Sequence, residues 1–356
     1  MDDRIRVKFL TRDRPEIHVR QLPGHARTWG HCLFLFDREE RDYDWLVVYD
    51  DVPEREGQAR HEAKEVLACP QEHTLLVTTE PSSIKAYGSA YTAQFGHVIT
   101  SQEPWALPHP HRIYTQPGLR WFYGEGSRRL LHYDALVAMQ PPRKDRRISM
   151  VWSNKKDWYT NHRARYTFMK KVRDALPGLD VYGRGTPNVL DDKSAALDPY
   201  AYHIAIENHV APHHWTEKLA DAFLGFCLPF YHGCPNVEEY FPEESLVRID
   251  IEDARGAIET IEAVMAAESH RKRLDAIVEA RRRVLEEYNL FALLSREIEK
   301  RHDTTNAERG GVLYSRHALR RRSLRLQLMQ AYEKSRNRLL YNLHRRLRPL
   351  QPGTTA

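Results

Sequence analysis

Hydrophobic positions in the first part of the chain come as short runs and not as long periodic stripes. Arg4 to Leu10, Asp44 to Tyr49, Thr74 to Thr79 and His97 to Thr100 are rich in Val, Ile, Leu and aromatic residues, and each is bounded by Asp, Pro, Gly or Ser. Short continuous apolar runs of this kind predict strands buried on both faces of a sheet. Arg60 to Leu67 reads as a connecting helix, and the Pro-, His- and aromatic-rich stretch from Pro104 to Gly126 as an irregular loop.

The pattern changes after Pro141-Pro142-Arg143-Lys144-Asp145, the best candidate linker. Ile148 to Trp152 predicts a strand, and Asn161 caps a helix reaching Leu176, which Pro177-Gly178 stops. Leu179 to Tyr182 is the next strand, completing a βαβ unit. Strands follow at Tyr202 to Ile206, Leu228 to Tyr231 and Leu246 to Ile251. Helices are expected at Thr216 to Phe226, Val237 to Tyr240, Ala254 to Ala267, His270 to Tyr288 and Leu290 to Arg301. From Leu313 to Leu350 the chain is helical in composition. Leu324, Leu328 and Tyr332, then Leu340, Leu343 and Leu347, form an apolar stripe among Arg and Lys. The expected organisation is an α/β domain over 1–142, a second, Rossmann-like α/β domain over 143–301 and a basic helical tail over 302–356.

Charge sharpens this division. The tail from Leu313 holds eleven Lys or Arg and one acid, Glu333, in a chain whose total is only +5. The body is therefore net acidic, and the overall basicity is no argument for nucleic-acid binding. Eleven cations beside an apolar stripe suit a helix lying on anionic lipid, ahead of an oligomerising helix or a solvated extension. The first residues lack the apolar core of a secretory signal, and Cys32, Cys69, Cys227 and Cys234 show no CxxC spacing. Both features favour a cytoplasmic protein, peripheral on the inner face of the membrane.

The chemistry concentrates between Tyr200 and Asp250. Glu207-Asn208 ends a predicted strand, at the edge where open α/β sheets bind ligands. Thr216 is a good N-cap, and Glu217-Lys218 occupy the first helical turn; a helix N-terminus with a lysine beside it favours a pyrophosphate. Tyr231-His232-Gly233 makes another tight turn at the same edge. His203, His209, His213, His214 and His232 invite a metal reading, but Pro212 breaks the one helical pair and no Cys or carboxylate completes a ligand set, so no metal is expected. One or two of them are expected to line the donor pocket. Tyr182-Gly183-Arg184-Gly185 is not a dinucleotide fingerprint.

The succession Ile206-Glu207-Asn208, Thr216-Glu217-Lys218 and Tyr231-His232-Gly233-Cys234-Pro235-Asn236 resembles glycosyltransferase family 10, the α-1,3/4-fucosyltransferases. The resemblance is specific over these fifty or so residues and faint in the first 140. It implies a GT-B fold of two facing Rossmann-like domains, here with the basic amphipathic tail, and inverting transfer from GDP-β-L-fucose without a metal. It also implies the roles. Lys218 and Arg165 hold the diphosphate, Arg165 lying one helix after Ser153-Asn154. Glu217 binds the ribose, Thr216 caps the site helix, and Glu207, Asn208 and Tyr231 border the donor. In Thr78-Thr79-Glu80, Glu80 takes the place of the general base. The family glycine is Thr79 here, its tyrosine ahead of the helix is His214, and its serine after Glu-Asn is His209. The expected partners are a GDP-sugar and a glycan acceptor such as lipopolysaccharide O-antigen, with no nucleic acid, and a homo-oligomer as the tail's second use. The alternatives are a transferase for another nucleotide sugar and a non-catalytic basic adaptor binding membrane or nucleic acid.

Overall fold

The structure, a computed structural model, describes residues 3–152, 162–183, 185–303 and 309–347. Ser153, Asn154 and Asn161 lie outside these residues. The chain forms two compact units. The first joins Met1–Gly118 to Leu290–Leu350, and the second is built from Leu119–Asn289.

The first unit opens with β1 (Ile5–Leu10), α1 (Pro15–Val19), β2 (Thr28–Trp29), β3 (Cys32–Leu35) and β4 (Trp45–Tyr49). It continues with β5 (Lys64–Val66), β6 (Thr74–Val77), α2 (Ser89–Thr92), β7 (His97–Thr100) and β8 (Arg112–Tyr114). Its main sheet has the order β2-β3-β1-β4-β6-β7-β8, parallel except for the edge strand β2. β4, Trp-Leu-Val-Val-Tyr, is buried along its whole length, as expected of a central parallel strand.

The second unit holds α3 (Tyr133–Ala138), β9 (Arg146–Trp152), α4 (His162–Ala175), β10 (Leu179–Gly183), β11 (Tyr200–Ile206) and α5 (Glu217–Leu224). β12 (Leu228–His232), β13 (Val247–Arg248), α6 (Ala254–Ala266), α7 (Ser269–Lys272) and α8 (Leu274–Glu286) complete it. The sheet order is β10-β9-β11-β12-β13, all parallel. Alternation along the strands divides the core. Ile148, Met150, Ile204 and Phe230 pack with Phe168, Val172, Ile261 and Ile277. Ala205 and Tyr231 pack with Leu219, Phe223, Trp215, Phe241 and Val284 in a separate cluster. In both units the second strand of the main parallel series flanks the first on one side and the rest lie on the other. The order therefore reverses between β1 and β4 and between β9 and β11, which opens a crevice at the carboxyl ends of those strands.

The chain then returns to the first unit through α9 (Leu290–Glu299), β14 (Val312–Tyr314), α10 (Arg316–Arg321) and α11 (Leu324–Leu347). This corrects the expected boundaries at 142 and 301. Residues 119–142 are not a lead-in to a linker: Trp121 and Tyr123 are buried in the second unit's core, and the N–H groups of Phe122 and Tyr123 donate to Asp221 at 3.0 Å. α9 packs against the first sheet, with Phe291 4.8 Å from the Phe34 ring and 5.6 Å from that of Phe9. The tail is likewise no separate domain. β14 pairs antiparallel with β5, so Lys64–Val66 is a strand where a helix over 60–67 was expected. Exposed Lys64 and Val66 flank buried Glu65, a period of two that the mixed composition hid. The expected strand over 246–251 shortens to Val247–Arg248, and the helix expected over 270–288 divides into α7 and α8 at Arg273.

Truncating the fully buried Phe291 should destabilise the first unit by about 3–5 kcal/mol. Denaturant unfolding of Phe291→Ala, followed by near-ultraviolet dichroism, measures this; a shift under about 1 kcal/mol would show that α9 is not part of that core.

Candidate active site at the carboxyl edge of the second sheet

Glu207 leaves the end of β11 directly at the crevice, and its side chain is fully buried. Its carboxylate accepts from the Thr216 N–H at 2.8 Å and from the Thr216 hydroxyl at 2.7 Å, and lies 3.4 Å from Lys218 Nζ. Thr216 in turn caps α5: its Oγ1 accepts from the Lys218 N–H at 3.3 Å. Strand end and helix start are thus joined by one carboxylate. Close approach at this edge also needs Gly233, where a Cβ would fall 2.5 Å from Glu207 Cγ and 2.4 Å from Tyr231 Oη.

Lys218 Nζ lies 2.9 Å from Glu217 Oε1 and 3.0 Å from Thr216 Oγ1. On the neighbouring α4, Arg165 is buried and its guanidinium donates to the Asn208 side-chain oxygen. Burial pushes the Arg165 pKa down, against the pull of Glu207 and Glu217. Burial also pushes Glu207 up, and Lys218 only partly offsets this. For Glu217 the balance reverses: burial would raise it, but Lys218 and Lys193 hold it down to about 2. Burial likewise works against the Lys218 charge, yet Glu217 and Glu207 hold its pKa above the ordinary lysine value. Arg165, Glu207, Asn208, Thr216, Glu217 and Lys218 therefore form a single electrostatic cluster at a helix N-terminus. Two cations beside the start of a helix can grip a diphosphate and stabilise a departing one.

The remaining expected residues fall differently. Tyr231 is fully buried and its Oη accepts from the Cys234 N–H at 2.9 Å, so it shapes the turn beneath the site and presents no surface to a ligand. His214 is buried edge-on to His209, ring centroids 5.2 Å apart, two residues before the helix cap. His203 is buried and serves the core through Ser149, 2.8 Å away, and His232, at the end of β12, bonds the Ile249 carbonyl at 3.1 Å through Nδ1. Among the described residues no group of three or more potential metal ligands is found. Sequence reading missed Asp221, one turn along α5 from Glu217. It is buried, paired with Lys193 at 2.7 Å, and joins 119–142 to the site helix. An acid four residues after Glu217 in an otherwise apolar helix was the available signal.

In the first unit, Glu80 follows β6 and is exposed. Its backbone is held by Gln102 Nε2, which donates to the Glu80 carbonyl at 2.7 Å. Next to it Asp50, in the left-handed region at φ 75°, accepts from Lys85 at 2.6 Å, Tyr87 Oη at 2.5 Å and Thr79 Oγ1 at 2.9 Å. Thr79 thus anchors the Glu80 loop to Asp50 at the end of β4. Burial opposes ionisation of Asp50, but Lys85, Tyr87 and Thr79 hold its pKa below the ordinary value.

Two Rossmann-like units, each on a mainly parallel sheet, are the parts of a GT-B fold, and the crevice of the second carries the charged cluster. Residues 141–272 match the family model described as glycosyltransferase family 10 (fucosyltransferase) C-term. A search of curated protein sequences found no match. Among solved structures, similarity is found to an alpha1,3-fucosyltransferase with GDP-fucose, at 15% identity over 86% of this chain and 92% of that one, TM-score 0.49. It is also found to a GtfA/B complex, at 12% identity over 72% and 57%, TM-score 0.40. TarM matches at 8% identity over 74% and 51%, TM-score 0.42.

The low Glu217 pKa sets a pH dependence. Its folded value near 2 lies below the ordinary 4.5, so its stabilisation is complete above about pH 4.5 and is lost as pH falls towards 2. The stability gap between the native chain and Glu217→Gln should therefore narrow between pH 5 and pH 3. Urea midpoints across that range measure it; a constant gap would mean that Glu217 gains nothing from its lysine neighbours.

Proposed function

We propose that the chain transfers L-fucose from GDP-β-L-fucose, with inversion, to a hydroxyl of a GlcNAc-type glycan such as lipopolysaccharide O-antigen. The observation that carries this reading is the convergence of Arg165, Asn208, Thr216, Glu217 and Lys218 around the buried Glu207. In the proposed reaction the acceptor oxygen forms a bond to the fucose anomeric carbon as the bond from that carbon to the β-phosphate oxygen breaks. The electron pair leaves with GDP, whose growing charge Lys218 and Arg165 balance. The hydroxyl proton goes to Glu80. Glu217 is the residue for the ribose, and His214 stands close to the sugar.

Lys218→Ala should weaken GDP binding by at least tenfold in calorimetry while the circular dichroism spectrum is kept; unchanged affinity would remove the diphosphate assignment. Glu80→Gln should leave GDP affinity intact and slow transfer by roughly 10²-fold or more. Full turnover in that variant would exclude it as the base. Donor hydrolysis across GDP- and UDP-sugars decides between fucose and another nucleotide sugar.

The tail supports a location. No helix among the described residues is long and apolar enough to cross a membrane. α11 lays one face on the first unit, through buried Asn337 and Tyr341, and leaves Leu324, Leu328, Tyr332, Leu339 and Leu343 exposed. At 100° per residue these five fall within an arc of about 100°, with Lys334 and Arg338 flanking it. Leu340, expected in the stripe, is half-buried. An apolar arc edged by cations suits an anionic bilayer at the cytoplasmic face. Replacing Leu324, Leu328 and Leu343 by Ser should abolish co-sedimentation with phosphatidylglycerol vesicles and spare transfer to a soluble acceptor. Retained co-sedimentation would overturn the membrane reading, and loss of a dimer in place of vesicle binding would favour an oligomerising helix.

A further inference from the structure

The first unit carries a cleft of about 380 Å³ that the reaction described above does not use. It is lined from the carboxyl ends of β1 and β3 and from the segment after β4. That is the crevice between β1 and β4 where the strand order reverses, the place at which open α/β sheets take ligands. Its floor is apolar, with half-buried Phe36 against Phe9 at 5.5 Å between ring centroids, and with Pro53 buried beside them. The rim is ionic but internally matched. Arg12 pairs with Glu54 at 3.1 Å, Arg55 pairs with Glu39, and Arg38 reaches Glu65 at 3.1 Å. Of the charged side chains that line the cleft itself, Asp13, Glu39, Glu54 and Glu56 outnumber Arg38 and Arg55.

This composition selects a ligand class. The cations around the cleft are already paired with carboxylates, which leaves none uncommitted to hold a phosphate and disfavours a second nucleotide site. Paired carboxylates and guanidiniums keep free acceptor and donor positions side by side, which suits hydroxyl groups that both donate and accept. An aromatic floor under such a rim suits the apolar face of a sugar ring, and the volume is that of a small-molecule pocket. We propose that this cleft is a subsite for a neutral sugar residue of the acceptor, next along the glycan from the one that receives the transfer. Glu80 follows β6, which lies two strands from β1 along the same edge, a lateral offset of about 10 Å between the strands at ordinary spacing. A linked neighbouring residue covers that distance, whereas a monosaccharide acceptor does not. The proposal rests on the transferase reading with Glu80 as base.

The experiment titrates the full chain, without donor, with GlcNAc, N-acetyllactosamine and the corresponding tri- and tetrasaccharides, by saturation-transfer NMR and calorimetry. Affinity should rise at least tenfold from the monosaccharide to the longer chains. Phe36→Ala, or Glu54→Gln together with Arg55→Gln should the first variant fold poorly, should abolish that gain. GDP affinity and monosaccharide binding should stay unchanged in either variant. Equal affinity for all lengths, no binding by any member of the series, or a gain that survives both variants would overturn the subsite. So would inorganic phosphate competing for the cleft. GDP binding and fucose transfer are read separately: absence of transfer with length-dependent binding intact refutes the reaction assigned above and leaves the sugar site standing.

Discussion

A single buried carboxylate organises the second unit's active edge. Glu207 receives both the N–H and the hydroxyl of Thr216 and sits against Lys218, so the end of β11 and the start of α5 are held in one geometry. An ionised carboxylate without water is costly unless it is hydrogen-bonded and paired. Here the partners that make its burial tolerable are the same groups that would meet a diphosphate. Lys218 is shared between Glu207 and Glu217. Under the proposed function a phosphate would compete for the same ammonium, and donor binding would be an exchange of anions around one fixed cation.

The second unit was legible in the sequence because its chemistry is local. Glu207-Asn208 and Thr216-Glu217-Lys218 stand at the two ends of one connection, and strand-end and helix-start signals placed them at the same edge without knowledge of other contacts. Arg165 came to that edge because it lies in the first turn of α4, and a helix following a parallel strand starts at the carboxyl end of that strand. What escaped was long-range. Asp221 reaches the backbone of Phe122 and Tyr123, almost a hundred positions back, and that contact makes 119–142 part of the second unit. A proline-rich stretch looks the same in sequence whether it links two domains or is packed into one. Tyr231 was assigned to the donor from its place in a motif, whereas the motif places its hydroxyl under the turn.

The Glu80 loop shows a different limit. A threonine where the family has glycine reads in isolation as a weakened motif. In the fold its hydroxyl meets Asp50, whose left-handed backbone is maintained by Lys85 and Tyr87. Strain of that kind persists only where surrounding contacts over-determine it, and those contacts all come from the connection between β6 and α2. The basic tail, read as an appendage, proved to be split along its length. One face is part of the first unit, and the other carries the apolar arc.

The first unit's division between the two ends of the chain has a consequence for biosynthesis. Phe9 and Phe34 emerge early from the ribosome, but Phe291, which covers them, follows only after the whole second unit has been made. At synthesis rates of roughly 5–20 residues per second that delay is on the order of ten to fifty seconds. During it the nascent sheet shows a bare aromatic face to the cell while a complete domain folds behind it. Chaperone dependence, and sensitivity to ribosome pausing after about residue 290, are thereby written into the order in which the chain is threaded.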